Sequence, residues 1–139
     1  MENNYFMECA YKEALKAYKK NEVPVGAVIA KDGKIIARAH NLKETKQLVT
    51  AHAEILAVEK ASKKINNWRL EDCELYVTLK PCKMCRQVIK EARIKHVYYG
   101  SEECIANDTI KENYTYIESK ECSKILKDFF KKLRENKHN

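Results

Sequence analysis

Between residues 25 and 100 short β-branched runs alternate with stretches of helical spacing, and this alternation leaves few architectures open to the chain. VPVGAVIA and KIIARAH flank Lys31-Asp32-Gly33-Lys34, and an Asp-Gly pair between two such runs predicts a tight antiparallel hairpin. ELYVTL (74–79) and KHVYYG (95–100) read as further strands, and YTYIE (114–118) as a weaker fifth. Between them, a helix is expected from an N-cap at Thr50 to about Lys64, and another from Pro81 through PCKMCRQVIKEAR. Residues 4–20 place Phe6, Ala10, Ala14 and Ala17 on one side of a first helix; a last helix puts Ile125, Leu126, Phe129, Phe130 and Leu133 on one face. Strands interleaved with helices predict an α/β layer structure, with helices on both sides of a mixed sheet of about five strands. A chain of 139 residues fits one domain, 1–139, able to bury roughly two-thirds of its unfolded surface.

No apolar run approaches the roughly 20 residues a bilayer crossing needs, and MENNYFMECAYKEALKAYKK lacks the order of a secretory signal, so the expected location is the cytoplasm. In a reducing compartment six cysteines imply metal ligands or packed thiols. Cys9, Cys73, Cys104 and Cys122 are isolated and read as small buried apolar groups; only Cys82 and Cys85 form a close pair. The formal charge of +7 permits a polyanionic partner, and residues 119–139 hold seven basic against three acidic residues, so that helix is the first place to seek one.

Both central helices carry zinc ligands in the first turn: His52 in one, Cys82 and Cys85 in the other. Cysteines three apart share a helical face, and a helix N-terminus favours the thiolate that a metal requires. Three protein ligands leave the fourth position of a tetrahedral zinc to water, the arrangement of a catalytic site. His52 and Glu54, two apart, would point in nearly opposite directions on a regular helix, yet Glu54 need only reach that water to move its proton. A four-ligand structural site remains an alternative, with Cys73, Cys104 or His40 as the fourth donor.

His-x-Glu followed by Pro-Cys-x-x-Cys is the signature of zinc nucleobase deaminases. Beyond it, EVPVGAVI (22–29), Asn41, TAHAEI (50–55), NWRL (67–70), LYVTL (75–79), PCKMC (81–85) and DFF (128–130) resemble the blocks of the bacterial tRNA-specific adenosine deaminases, most densely between about residues 22 and 100. The resemblance implies a three-layer cytidine-deaminase-like fold, a homodimer, one zinc per subunit, and conversion of the wobble adenosine (A34) of a tRNA anticodon stem-loop to inosine. By position, it implies zinc on His52, Cys82 and Cys85, a proton shuttle in Glu54, a purine contact from Asn41, and the Ala53 N–H facing the base. Lys131, Lys132 and Arg134 are candidate phosphate contacts. The chain departs from the family pattern at Lys80, at Arg86-Gln87-Val88, which bears on dimer packing, and in the short segment between Gly100 and Tyr114. A deaminase of free guanine or cytosine, and a zinc-stabilised RNA-binding subunit without catalysis, are the alternatives.

Overall fold

The computed structural model describes residues 2–102 and 113–137. Cys104 and most of the segment between Gly100 and Tyr114 lie outside them. The elements in chain order are α1 (Glu2–Lys19), β1 (Gly26–Lys31), β2 (Lys34–His40), α2 (Lys43–Lys46), α3 (Ala53–Ile65), β3 (Cys73–Val77), α4 (Lys83–Glu91), β4 (His96–Tyr99), β5 (Tyr114–Tyr116) and α5 (Lys120–Lys137). The five strands form one sheet in the order β2-β1-β3-β4-β5. β1 runs antiparallel to β2 and β3, whereas β3, β4 and β5 are parallel. At the hairpin, Lys31 pairs with Lys34 while Asp32 (φ 52°) and Gly33 (φ 75°) take the left-handed backbone that the turn needs.

β1 is buried on both faces, and its alternation sorts the core into two layers. Val28 and Ala30, with Tyr76 of β3, pack under Phe6, Met7, Cys9 and Ala10 of α1. Ala27 and Ile29, with Leu75, Val77 and Val97, pack under Ala53, Ala57 and Ala61 of α3 and Ile89 of α4. This is the expected helix–sheet–helix sandwich. Alanines line the faces of α1 and α3 because the helices lie close to the sheet: a Cβ on Gly26 would stand 2.1 Å from the Ala10 carbonyl oxygen and 2.5 Å from the Ala14 nitrogen. α5 adds Cys122 to the first layer and Leu126 to the second.

Two expectations are corrected. Thr50 does not cap α3; it is exposed, and His52 occupies the N-cap with φ −79° and ψ 150°. Leu133 is not buried with Ile125 and Leu126: it is 44% exposed, in a groove that it lines with Tyr18 and Phe129. Cys9, Cys73 and Cys122 are buried as expected. No helix among the described residues is long and apolar enough to cross a membrane.

Candidate active site

Register brings the chemistry together. Gly26 at the start of β1 pairs with His40 at the end of β2, and Ala27 pairs with Val77 at the end of β3. The exits of β2 and β3 therefore flank the entrance of β1 at one end of the strands, and the chain enters α3 and α4 from that end. Thr78 locks it: its hydroxyl accepts the Gly26 N–H at 3.1 Å and its N–H donates to the Gly26 carbonyl at 3.0 Å. The Asn41 N–H donates to the Val25 carbonyl at 3.0 Å.

His52 and Cys82 are the N-cap residues of α3 and α4, and neither side chain makes a capping hydrogen bond. A polar N-cap ordinarily satisfies a free helix N–H; here both side chains turn toward each other instead. His52 Nδ1 lies 3.3 Å from Cys85 Sγ and 3.9 Å from Cys82 Sγ. Zinc bond lengths at the tetrahedral angle require ligand atoms roughly 3.5–3.8 Å apart, and the three donors all lie within 4.8 Å of one another, so they fit a zinc ion. One histidine and two cysteines are also a donor set that suits zinc. A hydrogen bond from Cys85 and then one from His52 pull Cys82 down to about 3, while the same pairing and burial push the Cys85 thiol up. The hydrogen bond with Cys82 raises the His52 imidazole against the effect of burial.

The fourth-donor alternatives are not gathered here among the described residues. Among the described residues, the group that could hold a metal comprises His52, Cys82 and Cys85. Cys73 lies at the opposite end of β3 from Val77, and the His40 ring meets Glu13 Oε1 and Lys20 Nζ, each at 3.0 Å.

Because His52 is an extended cap and not a helical residue, the opposed directions of positions two apart do not apply. Glu54, 4% exposed, joins His52 and Cys82 in one pocket with Asn41, Lys43, Ala53 and Lys80, enclosing about 220 Å³. Burial pushes its carboxyl up to about 7, against hydrogen bonds from its own N–H and from Cys85. A carboxyl near neutrality can both accept and return a proton. As the first residue of α3, Ala53 has an N–H without an intrahelical acceptor.

Asn41 lines the pocket, but its amide also serves the backbone: Nδ2 donates to the Val23 carbonyl at 3.3 Å and Oδ1 accepts the Lys43 N–H at 3.0 Å. Each amide end keeps one further hydrogen or lone pair for a ligand. Lys80 is 6% exposed and lines the pocket, and its N–H donates to the Ser101 carbonyl at 2.8 Å. Of the α4 departures, Val88 packs against the core and Gln87 bonds Glu91 at 3.2 Å. Val23, Val25, Lys43 and Leu79 also line the pocket and carried no separate signal in the sequence, although the valines lie within EVPVGAVI.

The α5 cations are not part of this pocket. Lys131, Lys132 and Arg134 are exposed. Lys132 Nζ stands 5.6 Å from the centroid of the Tyr18 ring, and Phe129 meets the same ring edge-on at 6.4 Å. Tyr18, Phe129, Lys132 and Leu133 line a small groove between α1 and α5.

Known proteins bear on this geometry. The family profile of the cytidine and deoxycytidylate deaminase zinc-binding region matches residues 1–101. The chain is 42% identical to the tRNA-specific adenosine deaminase of Aquifex aeolicus (strain VF5), across 98% of this chain and 99% of the relative. Its fold is similar to a structure from a study of A-to-I editing by tRNA:A34 deaminases at the wobble position, with a TM-score of 0.79 and 36% identity over 88% of this chain and 99% of that one. It is also similar to guanine deaminase from Bacillus subtilis, with a TM-score of 0.67 and 40% identity over 70% of this chain and 63% of that one.

Proposed function

Because the chain belongs to the cytidine and deoxycytidylate deaminase family, we propose that it is a zinc-dependent hydrolase that converts the wobble adenosine A34 of a tRNA anticodon to inosine, with release of ammonia. Residues 1–139 act as one deaminase unit, a cytoplasmic homodimer with one zinc per subunit. The observation that carries the reading is the convergence of His52 Nδ1 and the two thiols on a pocket that also holds the buried carboxyl of Glu54.

His52, Cys82 and Cys85 hold the zinc, which when bound makes a water nucleophilic at neutral pH. The pocket takes the flipped base. Glu54 accepts one proton from the attacking water and passes it to the ring nitrogen beside C6. A second proton travels by the same carboxylate to the exocyclic amine, which leaves as ammonia while C6 becomes a carbonyl. Asn41 orients the purine with the hydrogen and lone pair that its loop leaves over, and the free Ala53 N–H faces the ring. Outside the pocket, Lys131, Lys132 and Arg134 contact the phosphates of the anticodon stem-loop.

Incubating the zinc-loaded protein with an A34-containing anticodon stem-loop tests this, with inosine as the expected product. The likeness to a guanine deaminase supplies the rival: turnover of free guanine with no inosine in RNA would establish it instead, and zinc without any turnover would leave a binding subunit. Glu54→Ala is expected to keep its zinc and lose deamination by about 10²–10⁴-fold or more; retention of activity would remove the shuttle from Glu54. Sedimentation of the native protein checks the dimer.

A further inference from the structure

One side of the pocket mouth is a segment with nothing apolar to hold it. α2 spans four residues, none of them buried, and its N-cap Leu42 offers no side-chain hydrogen bond. Helix stability of this kind normally comes from an apolar face; here it comes from the carboxylate of Glu22, 22 and 23 residues before its two partners. Glu22, 1% exposed, accepts the Glu44 N–H at 3.1 Å on Oε1, and the Thr45 N–H and hydroxyl at 2.6 Å each on Oε2. Both carboxylate oxygens are thereby occupied by the free N–H groups and the hydroxyl of one turn. Asn41 Oδ1 takes the next N–H, that of Lys43, and the Leu42 N–H reaches the Ala51 carbonyl at 2.9 Å.

What this latch holds in place is Lys43. Its side chain lines the pocket and is otherwise exposed. A base entering a pocket of about 220 Å³ leaves its sugar and phosphates at the rim, where Lys43 stands. A free base brings no phosphate to that rim.

We infer that Glu22 is a positioning residue that fixes Lys43 at the pocket mouth, and that Lys43 there contacts a backbone phosphate adjoining the target nucleotide. The inference rests on the RNA reading above and deepens it: the rim itself selects a polynucleotide over a free base.

The test measures KM and kcat for an anticodon stem-loop across a salt series. Lys43→Gln is expected to raise KM several-fold and to reduce the slope of log KM against log salt by about 0.7, the value of one phosphate contact on a single strand. Lys34→Gln, at the start of β2 and so at the opposite end of that strand from the pocket, removes the same charge far from the rim and keeps the wild-type slope. Glu22→Gln is expected to reproduce the Lys43→Gln slope with zinc content retained and faster amide exchange at Glu44 and Thr45; adding Lys43→Gln to it lowers the slope no further. Should Glu22→Gln not fold, Thr45→Val deletes only the hydroxyl bond and is expected to raise KM in the same direction by less. An unchanged slope in Lys43→Gln overturns the phosphate contact, and a wild-type slope in folded Glu22→Gln, or an unaltered KM in Thr45→Val, overturns the positioning role. If the wild-type protein makes no inosine in the stem-loop, the functional reading itself has failed, an outcome distinct from those two.

Discussion

The metal pocket and the C-terminal helix are both assigned to substrate, yet they are built on opposite plans. At the pocket, Glu54 is 4% exposed and the neighbouring Cys85 0%, on helix starts that the register of β1, β2 and β3 brings to one end of the strands. On α5, Lys131, Lys132 and Arg134 are exposed, on a helix whose Leu133 is itself 44% exposed. Buried polar groups depend on their partners for most of their energy, whereas exposed charges act nearly independently and are screened by salt. The pocket is therefore expected to fail as a unit and the helix to fail by increments.

The sharpest test of the first half is Cys85→Ser. It removes a thiol that lies 3.3 Å from His52 Nδ1, and the protein is expected to lose stoichiometric zinc and with it all measurable deamination, as read by metal analysis on the purified variant. Undiminished zinc would break the comparison at its root. Next in size is Gly26→Ala, which touches no ligand but drives a Cβ into the Ala10 carbonyl oxygen at 2.1 Å, under the strand entrance that orders the pocket. Overpacking of this kind costs about 1–3 kcal/mol, to be read in denaturant, and activity is expected to fall with it because the two strand exits move.

On the exposed side, Lys131→Gln and Arg134→Gln are each expected to weaken stem-loop binding a few-fold, to leave kcat unchanged, and to lower the salt slope by about 0.7–0.9 apiece, additively. Strong non-additivity would mean that α5 is as cooperative as the pocket. The smallest effect is expected at Glu13 on α1, outside the pocket. Burial pushes its carboxyl up, but hydrogen bonds from Lys16 and His40, at 2.7 and 3.0 Å, outweigh burial and hold it below its ordinary 4.5. A group depressed on folding stabilises the protein above its unfolded pKa and loses that contribution as pH falls through the lower folded value. The melting temperature of Glu13→Gln is therefore expected to lie below wild type at pH 7, with the gap closing on acidification below about 4.5.

The sequence announced the elements well because local signals agreed with the fold: Asp32-Gly33 at the hairpin, and β-branched strands between helical stretches. It misplaced the cap of α3 for a physical reason. Thr50 is the better capping residue by propensity, but His52 stands at the helix start without a capping bond, its ring turned toward the thiols, and a local rule has no access to that long-range demand. α2 went unseen because its four residues are held by Glu22, and no periodicity within KETK reports a carboxylate at residue 22. Helical spacing put Leu133 on the apolar face of α5, but spacing cannot show that this end of the face opens into a groove and leaves Leu133 44% exposed.

By itself, then, the sequence determined the inventory: a His and two Cys at helix starts, a Glu within reach, strands enough for one sheet, and a basic last helix. Tertiary structure alone decided that these starts meet at one end of the strands, that Asn41 divides its amide between backbone and pocket, and that Lys43 lines the rim. The division follows from range. Turns, strands and helix ends are set by contacts a few residues apart, whereas a site is a distance between elements, fixed by strand register and by the close packing of α1 on Gly26.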